Sequence, residues 1–431
     1  MKRGRWLALG ALCAALGVRG AGEAPAGSLS LVLVGLSQDY LEPCGCGGRD
    51  AGGLARRAAM VRAWRETTPG AKVLVDVGDC GAREDRLPLI VQCLGYTGVD
   101  LIGLAPTDLD QWPRLAALLA RHAVAATSVV PPRATTPAGP PLGVTLAPAA
   151  GWRLGVVSVA PSALALPDTA DRCAAELRRL RADGCRATLL LTHLEPSTTE
   201  VLLGRLPAGE QPTVVAQATD ADLPGTIELR RGAVWVPLSR RGRSFATVTF
   251  KPDGQVSADS QLVETGPRDG LVQAWVDDYY RRLRAGETVN QPADPDVRYP
   301  KPASCVPCHG RAVAAWRAHP HAHAVETLVQ RQRDVAGCLR CHDEHQRRAG
   351  VRPPPTGDRG VQCATCHDGL EAHLRAPRAK RPTNAGRAGC ESCHTGENSP
   401  RWDWTRYRAS VVAACSGQLT SRAAAREAAQ P

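Results

Sequence analysis

The sequence predicts two halves of different construction: an N-terminal α/β domain of the sandwich type, and a C-terminal domain that is mainly irregular with some helix. Three observations carry that reading. Between Ser28 and about Phe250, short continuous apolar runs alternate with amphipathic stretches, as buried strands and their covering helices do. After Ser304 that periodicity almost disappears. A short pattern recurs four times within the aperiodic region: CVPCH (Cys305 to His309), CLRCH (Cys338 to His342), CATCH (Cys363 to His367) and CESCH (Cys390 to His394).

The chain starts with Lys2, Arg3 and Arg5, then an apolar run, Trp6 to Val18, too short to span a bilayer as a permanent helix. Gly20, Ala21, Gly22 and Ala24 follow, as a signal peptidase requires. Residues 1–24 therefore read as a secretory signal cleaved between Ala21 and Ala26. Cys13 leaves with it, and its flanks make a poor lipoprotein box. No later stretch is apolar for long enough to cross a membrane. The mature chain is expected to be periplasmic or otherwise exported, from a Gram-negative bacterium.

The front domain, residues 28–265, is expected to place strands at Leu29–Leu36, Lys72–Val77, Val99–Leu104, Leu154–Ala160, Thr188–His193 and Thr213–Ala216. Leu54–Glu66, Leu109–Arg121 and Ala170–Ala182 are amphipathic helices between them. Ala233–Leu238 and Ser244–Lys251 read as an antiparallel ribbon, and Pro131–Pro148 as a surface loop. In the connecting segment, residues 266–304, Leu271, Trp275, Tyr279 and Leu283 form one stripe of a helix that suits either neighbour. Four prolines in Asn290–Ser304 then make a stiff linker. Residues 305–415 form the last domain and 416–431 a tail.

Cys-X-X-Cys-His is the attachment site of c-type haem. Each of two thiols three positions apart forms a thioether with a haem vinyl group, and the following histidine becomes an axial iron ligand. Shuffling 16 Cys and 11 His through 431 residues would yield roughly 0.015 copies of the pattern. Cys pairs also build zinc ribbons, but a ribbon does not require His directly after the second Cys, and here His follows all four times. Four haem c groups in ninety residues leave about 22 residues each, so the haems must pack against one another.

The formal charge of +11 looks like a nucleic-acid or membrane signal, but its distribution argues otherwise. From Lys301 onward there are 20 Lys and Arg against 11 Asp and Glu. Four haems bring about eight propionate charges, which would largely cancel that excess. No aromatic-interleaved basic patch or nucleic-acid motif is present. Methionine ligation is excluded in effect, because the chain has only Met1 and Met60. Beyond proximal His309, His342, His367 and His394, the haem segment offers His319, His321, His323, His345 and His373 as distal ligands. Two or three bis-histidine haems and at least one five-coordinate iron are expected.

The segment from about Ser304 to Tyr407 resembles the tetrahaem cytochrome c-554 family. Trp316 with His321-Ala322-His323-Ala324 is similar to that family's Trp and His-Ala-His-Ala element. CHDGLEAH is similar to its CHGPG-x-x-H, which implies that His373 is a distal ligand, although Asp368-Gly369-Leu370 replaces Gly-Pro-Gly. SPRWDWTRY (Ser399–Tyr407) looks like the family's aromatic segment after the last haem. By this resemblance His321 or His323, and His373, are the favoured distal ligands. His319 and His345 are open between iron, propionate and solvent.

In the front domain, LEPCGCGGRDAGGLARRAAMV (Leu41–Val61) and VDVGDC (Val75–Cys80) resemble a metallophosphatase-related family similar to periplasmic nucleotidases. That implies a metallophosphatase-like sandwich whose active form needs Asp-X-His, Gly-Asp, Gly-Asn-His and two further histidines to hold two metals around a water. Here Gly78-Asp79 survives. His193 is either a metal ligand or a buried residue bonded at a strand end. GLAPTDL (Gly103–Leu109) and VVAQATD (Val214–Asp220) replace the rest, and two histidines, His122 and His193, cannot complete the set. The resemblance places Cys44, Cys46 and Cys80 in neighbouring loops, as a disulfide, a soft-metal or redox site, or unpaired thiols. Cys173 and Cys185 flank a helix that holds them about 15–18 Å apart, beyond disulfide reach of about 7 Å.

These readings converge on an exported electron-transfer protein whose partners are other cytochromes or quinol-linked donors. Two alternatives stay open: a haem-dependent reductase of a small nitrogen or sulfur compound, and a metal-dependent phosphoesterase with an accessory cytochrome.

Overall fold

Leu29, Leu31 and Leu33 face one side of the first strand and Ser30, Val32 and Val34 the other, and all six are buried. A strand buried on both faces needs a covering layer on each. The computed structural model, which describes residues 27–43, 51–132, 139–149, 151–207, 209–290, 298–350, 358–395, 398–399 and 402–416, shows both layers. The expected signal, Cys44, Cys46, part of the proline linker and the tail after Ser416 lie outside the described residues.

In one sheet β1 (Leu29–Val34), β2 (Ala71–Asp76), β3 (Leu101–Gly103) and β4 (Ala125–Thr127) run parallel. In the other, β5 (Gly143–Ala149) pairs antiparallel with β6 (Trp152–Val159), which continues in parallel through β7 (Ala187–Thr192) and β8 (Val214–Ala218). β9 (Glu228–Arg230) and β10 (Ala233–Leu238) complete that second sheet, while β11 (Ser244–Phe250) and β12 (Val256–Leu262) return to the first. The strand orders are β12-β11-β1-β2-β3-β4 and β5-β6-β7-β8-β10-β9. Leu31, Val75, Val156 and Leu189 belong to the core between the sheets.

The opposite faces pack on helices. α1 (Leu54–Thr67), α2 (Leu87–Thr97), α3 (Pro106–Asp110) and α4 (Trp112–Arg121) follow the strands of the first sheet, α5 (Leu166–Ala182) and α6 (Pro196–Arg205) those of the second. α7 (Gly270–Asn290) lies against α1 and α2, burying Val272, Val276, Tyr279 and Tyr280.

Two expectations are corrected. The stretch Pro131–Pro148, read as a loop, ends in β5, which caps the edge of the second sheet. Ala233–Leu238 and Ser244–Lys251 do not form a ribbon with each other: β10 pairs parallel with β8, and β11 antiparallel with β1. The intervening bend carries the chain between sheets, with Arg241 and Gly242 at positive φ and the Ser239 and Ser244 hydroxyls bonded at 2.6 Å.

After residue 298 the chain forms α8 (Pro302–Ala318), a 3-10 turn Pro320–His323, α9 (Ala324–Gln330), α10 (Ala336–His342) and α11 (Glu344–Ala349). There follow α12 (Cys363–Cys366), β13 (His367–Asp368), α13 (Leu370–Arg375), β14 (Thr383–Asn384), α14 (Gly386–Glu391) and α15 (Trp404–Cys415). Side chains make little core here. The one separate apolar cluster among the described residues is Tyr299, Ala364 and Leu370 with Cys363 packed on it.

Candidate functional site

Three positions apart on a helix, two side chains share a face. Each Cys-X-X-Cys uses that geometry: Cys305 and Cys308 lie in α8, Cys338 and Cys341 in α10, Cys363 and Cys366 in α12, while Cys390 is in α14 with Cys393 just beyond. The backbone leaves helical geometry at His309 (φ −123°, ψ 32°) and ends the helix before His367.

All eight cysteines and His309, His342, His367 and His394 line one cavity of about 1640 Å³. That exceeds the roughly 300–1,000 Å³ of a single ligand pocket. His319, His321 and His373 also line it; His323 and His345 do not. Both His323 ring nitrogens are taken, one by the Arg317 carbonyl at 2.6 Å and one by Glu326. The contact of His321 with His319 Nδ1 runs through its backbone N–H at 3.2 Å, and among the described residues its ring nitrogens have no hydrogen-bond partner. Burial pushes His321 down to about 3, so the ring is neutral, the form that ligates metal. His319 is itself anchored, its Nε2 3.3 Å from the Ser410 hydroxyl.

Two histidine pairs face each other. His309 and His373 have ring centres 6.2 Å apart, and His321 and His394 6.1 Å apart. An imidazole nitrogen sits about 2.0–2.1 Å from a metal it binds and roughly 1.1 Å from its own ring centre, so two rings across one iron lie about 6.2 Å apart. The other ring nitrogen of several of these residues is occupied, which fixes the tautomer. His342 Nδ1–H donates to the Ala324 carbonyl (2.7 Å), His373 Nδ1–H to the Lys380 carbonyl (2.6 Å), and His394 Nδ1 lies 3.0 Å from the Ser399 hydroxyl. Trp402 stacks on His394 at 5.6 Å and 8°.

The front domain's candidate residues sit at the carboxyl ends of parallel strands, where open α/β sheets build their sites. Gly78 has φ +99°, and a Cβ there would stand 2.2 Å from the Gly103 carbonyl oxygen. Asp79 follows at φ 60°, an uncommon conformation for a residue with a side chain. Its carboxylate accepts from Gln38 Nε2 at 2.8 Å and Thr107 Oγ1 at 2.9 Å. His193 donates Nε2–H to the Val77 carbonyl at 2.7 Å, and burial lowers its pKa. Asp108, fully buried, accepts backbone N–H from Asp79 (2.7 Å), Cys80 (3.0 Å) and Ala105 (3.0 Å). Neutral donors thus occupy the oxygens a metal would need. Cys80 is a buried free thiol, as are Cys93, Cys173 and Cys185. Among the described residues no three His, Cys, Asp or Glu side chains gather as a metal-ion cluster.

Sequence reasoning misses Gln38, Thr107 and Asp108. The signal is present: they stand in SQD and APTD, the loops where metal-binding histidines are expected.

Residues 304–368 match the family described as cytochrome c554 and c-prime. The match implies haem c and spans the first three attachment sites of this cytochrome segment; the fourth, Cys390 to His394, lies beyond it. No curated protein sequence matches the chain. Among solved structures, the Thermus thermophilus sulfate thiohydrolase SoxB in complex with glycerol is similar at 16% identity and TM-score 0.50, over 61% of this chain and 62% of that one. A 5'-nucleotidase precursor, also from Thermus thermophilus, is similar at 17% identity and TM-score 0.48, over 60% and 59%. The chain spans under two thirds of either protein. At these identities the likeness is one of fold: the front domain is an α/β sandwich of the metallophosphatase type.

The cytochrome segment's residues fit haem on their own geometry. The cavity is lined by every attachment residue, two imidazole pairs stand at iron-spanning distance, and His367 Nδ1 is a buried polar atom without a hydrogen-bond partner.

Proposed function

We propose that this chain is an exported electron-transfer protein holding four c-type haems, with a front domain that keeps a metallophosphatase fold and has lost its hydrolytic site. The observation that carries the reading is the single cavity onto which all twelve attachment residues open. Haem c supplies one-electron chemistry at iron. The chain's own residues supply the rest. Eight thiols fix the groups covalently. His309 with His373, and His394 with His321, would hold haem iron, a reading supported by their ring separations of 6.2 and 6.1 Å. Trp402, Trp404 and Tyr407 add aromatic surface to the cavity wall. Partners would be other cytochromes or quinol-linked donors. No helix among the described residues is long and apolar enough to cross a membrane.

Intact-mass measurement of the exported protein tests the proposal: the polypeptide should carry four haem masses that survive acid extraction. Fewer than three haems from a host with full maturation machinery would refute it. The front domain should show no phosphoester turnover with Mn²⁺ or Zn²⁺, since the Asp79 oxygens are engaged by Gln38 and Thr107. Metal-dependent hydrolysis abolished by Asp79→Ala would count against that half.

One observation favours a second reading, a reductase of a small nitrogen or sulfur compound. Among the described residues neither His342 nor His367 faces a second imidazole ring, which is the arrangement of an iron with an open position. Nitric oxide binding to the reduced protein at two of four haems would give this reading weight.

A further inference from the structure

The cavity of the cytochrome segment has a wall that the cytochrome segment does not make. Gln38 to Pro43, Arg83 and Arg86 of the front domain line it, with Tyr280 and Leu283 of α7. These are the loops that follow β1 and β2, the mouth of the fold's usual active site. The contact centres on the second attachment site. Cys338 packs against the front-domain core cluster that contains Tyr279 and Tyr280, and Val335, one residue before α10, belongs to that cluster. Arg333 fastens the join: it grips Glu42 with two bonds of 2.8 and 2.7 Å, meets Asp277 at 2.6 Å, and lies 4.2 Å over the Tyr280 ring.

The cations at this wall are differently committed. Arg333 is neutralised by Glu42 and Asp277, and Arg83 pairs with Asp85. Arg86 gives its donors to the Asp39 carbonyl and the Tyr279 hydroxyl; the Asp39 carboxylate acts on it only through space, its own oxygens accepting the Ala82 and Arg83 N–H groups. Arg86 also lies 5.8 Å from the Tyr279 ring centre. A partly buried guanidinium at a cavity wall, with no carboxylate bonded to it, is stabilised when an anion joins it. Haem brings carboxylates to this cavity, and guanidinium is the group best shaped to pair with a carboxylate.

We propose that Arg86 is a propionate-binding residue for the haem held by Cys338, Cys341 and His342, so that the front domain forms part of that haem's site and sets its potential. This rests on the four-haem reading. In it, the mouth of a former hydrolase serves as a haem pocket wall.

The experiment is a redox titration of the four-haem protein and its Arg86→Gln variant. Loss of a cation beside a propionate disfavours the reduced haem. One of the four potentials should fall, by up to about tenfold in the reduction equilibrium, or 59 mV for one electron. Three should not move, and Arg86→Lys should restore most of the shift. In a protein also carrying Cys338→Ser and Cys341→Ser, the Arg86→Gln effect should vanish. If Arg86→Gln loses one haem, restoration by lysine supports the proposal and failure of lysine to restore it refutes it. Four unchanged potentials in a fully loaded Arg86→Gln protein would overturn it. The wild-type haem count tests the four-haem reading separately.

Discussion

His321 and His323 are two residues apart, and sequence reasoning cannot choose between them. The choice depends on which oxygens the turn brings near each ring. His323 is closed off by the Arg317 carbonyl and Glu326, while His321 points into the cavity opposite His394. His321→Ala should therefore remove one low-spin signal from the EPR spectrum of the oxidised protein, and His323→Ala should remove none. Asp108 is the other residue whose setting matters. Burial pushes its carboxyl up to about 7 in the fold, against about 3.9 unfolded. Between those values the folded state holds a proton that the unfolded state has released, so Asp108 makes stability fall as pH rises from about 4 to 7. Asp108→Asn should flatten that section of the profile, measured as denaturant midpoints across pH. It should also cost about 1–3 kcal/mol at low pH, because an amide cannot accept all three N–H groups. The attachment residues are legible because covalent chemistry ties them to one spacing. The distal ligands are not, because a histidine reaches an iron through space.

At the scale of elements, continuous apolar runs are readable as strands because both faces of each are buried, as in β1, β6 and β7. β12 escapes notice because it is an edge strand of sequence VSADSQL, half exposed and carrying almost no apolar signal. The partners of β10 and β11 mislead for a related reason: a short connection usually joins neighbours, but here a bend at Ser239–Arg243 switches sheets. The loop after β2 is tightly specified. Gly78→Ala would press a Cβ against the Gly103 carbonyl at a φ of +99°. That strain should cost about 1–3 kcal/mol, seen as a lower thermal midpoint of the front domain with haem spectra unchanged. The network round Glu344 joins the second and third attachment helices. Its buried carboxylate bonds Arg347, Arg348 and Thr365, which hold its pKa down against burial. The fold therefore gains from Glu344 only above its unfolded pKa of about 4.3, and loses that gain as acid protonates it.

For the whole molecule, the join between the halves rests on Arg333 and on an ion pair of Arg284 with Asp334 at 3.2 Å. Arg333→Ala should cost about 1–3 kcal/mol and speed the proteolytic separation of the two halves, while leaving the haem count unchanged. That the chain has two halves is plain from its change of periodicity. That the halves share a cavity is not, since Arg333 and Glu42 are separated by 291 positions and only folding brings them together. The unequal cores have a consequence for how the protein is made. Among the described residues the front domain is built on two large apolar cores, one of which also takes in Val335, whereas the cytochrome segment has one small separate cluster and a cavity. If the chain is exported unfolded, as the proposed function holds, the first can collapse without help. The second, among the described residues, would gain a comparable interior only once the proposed haems are attached. On that reading, proteases at the site of maturation would meet a chain whose leading half is already shielded and whose trailing half becomes resistant one attachment at a time. A cell short of iron would accumulate the front domain as a trimmed fragment, and the ratio of fragment to full-length protein would report its haem supply.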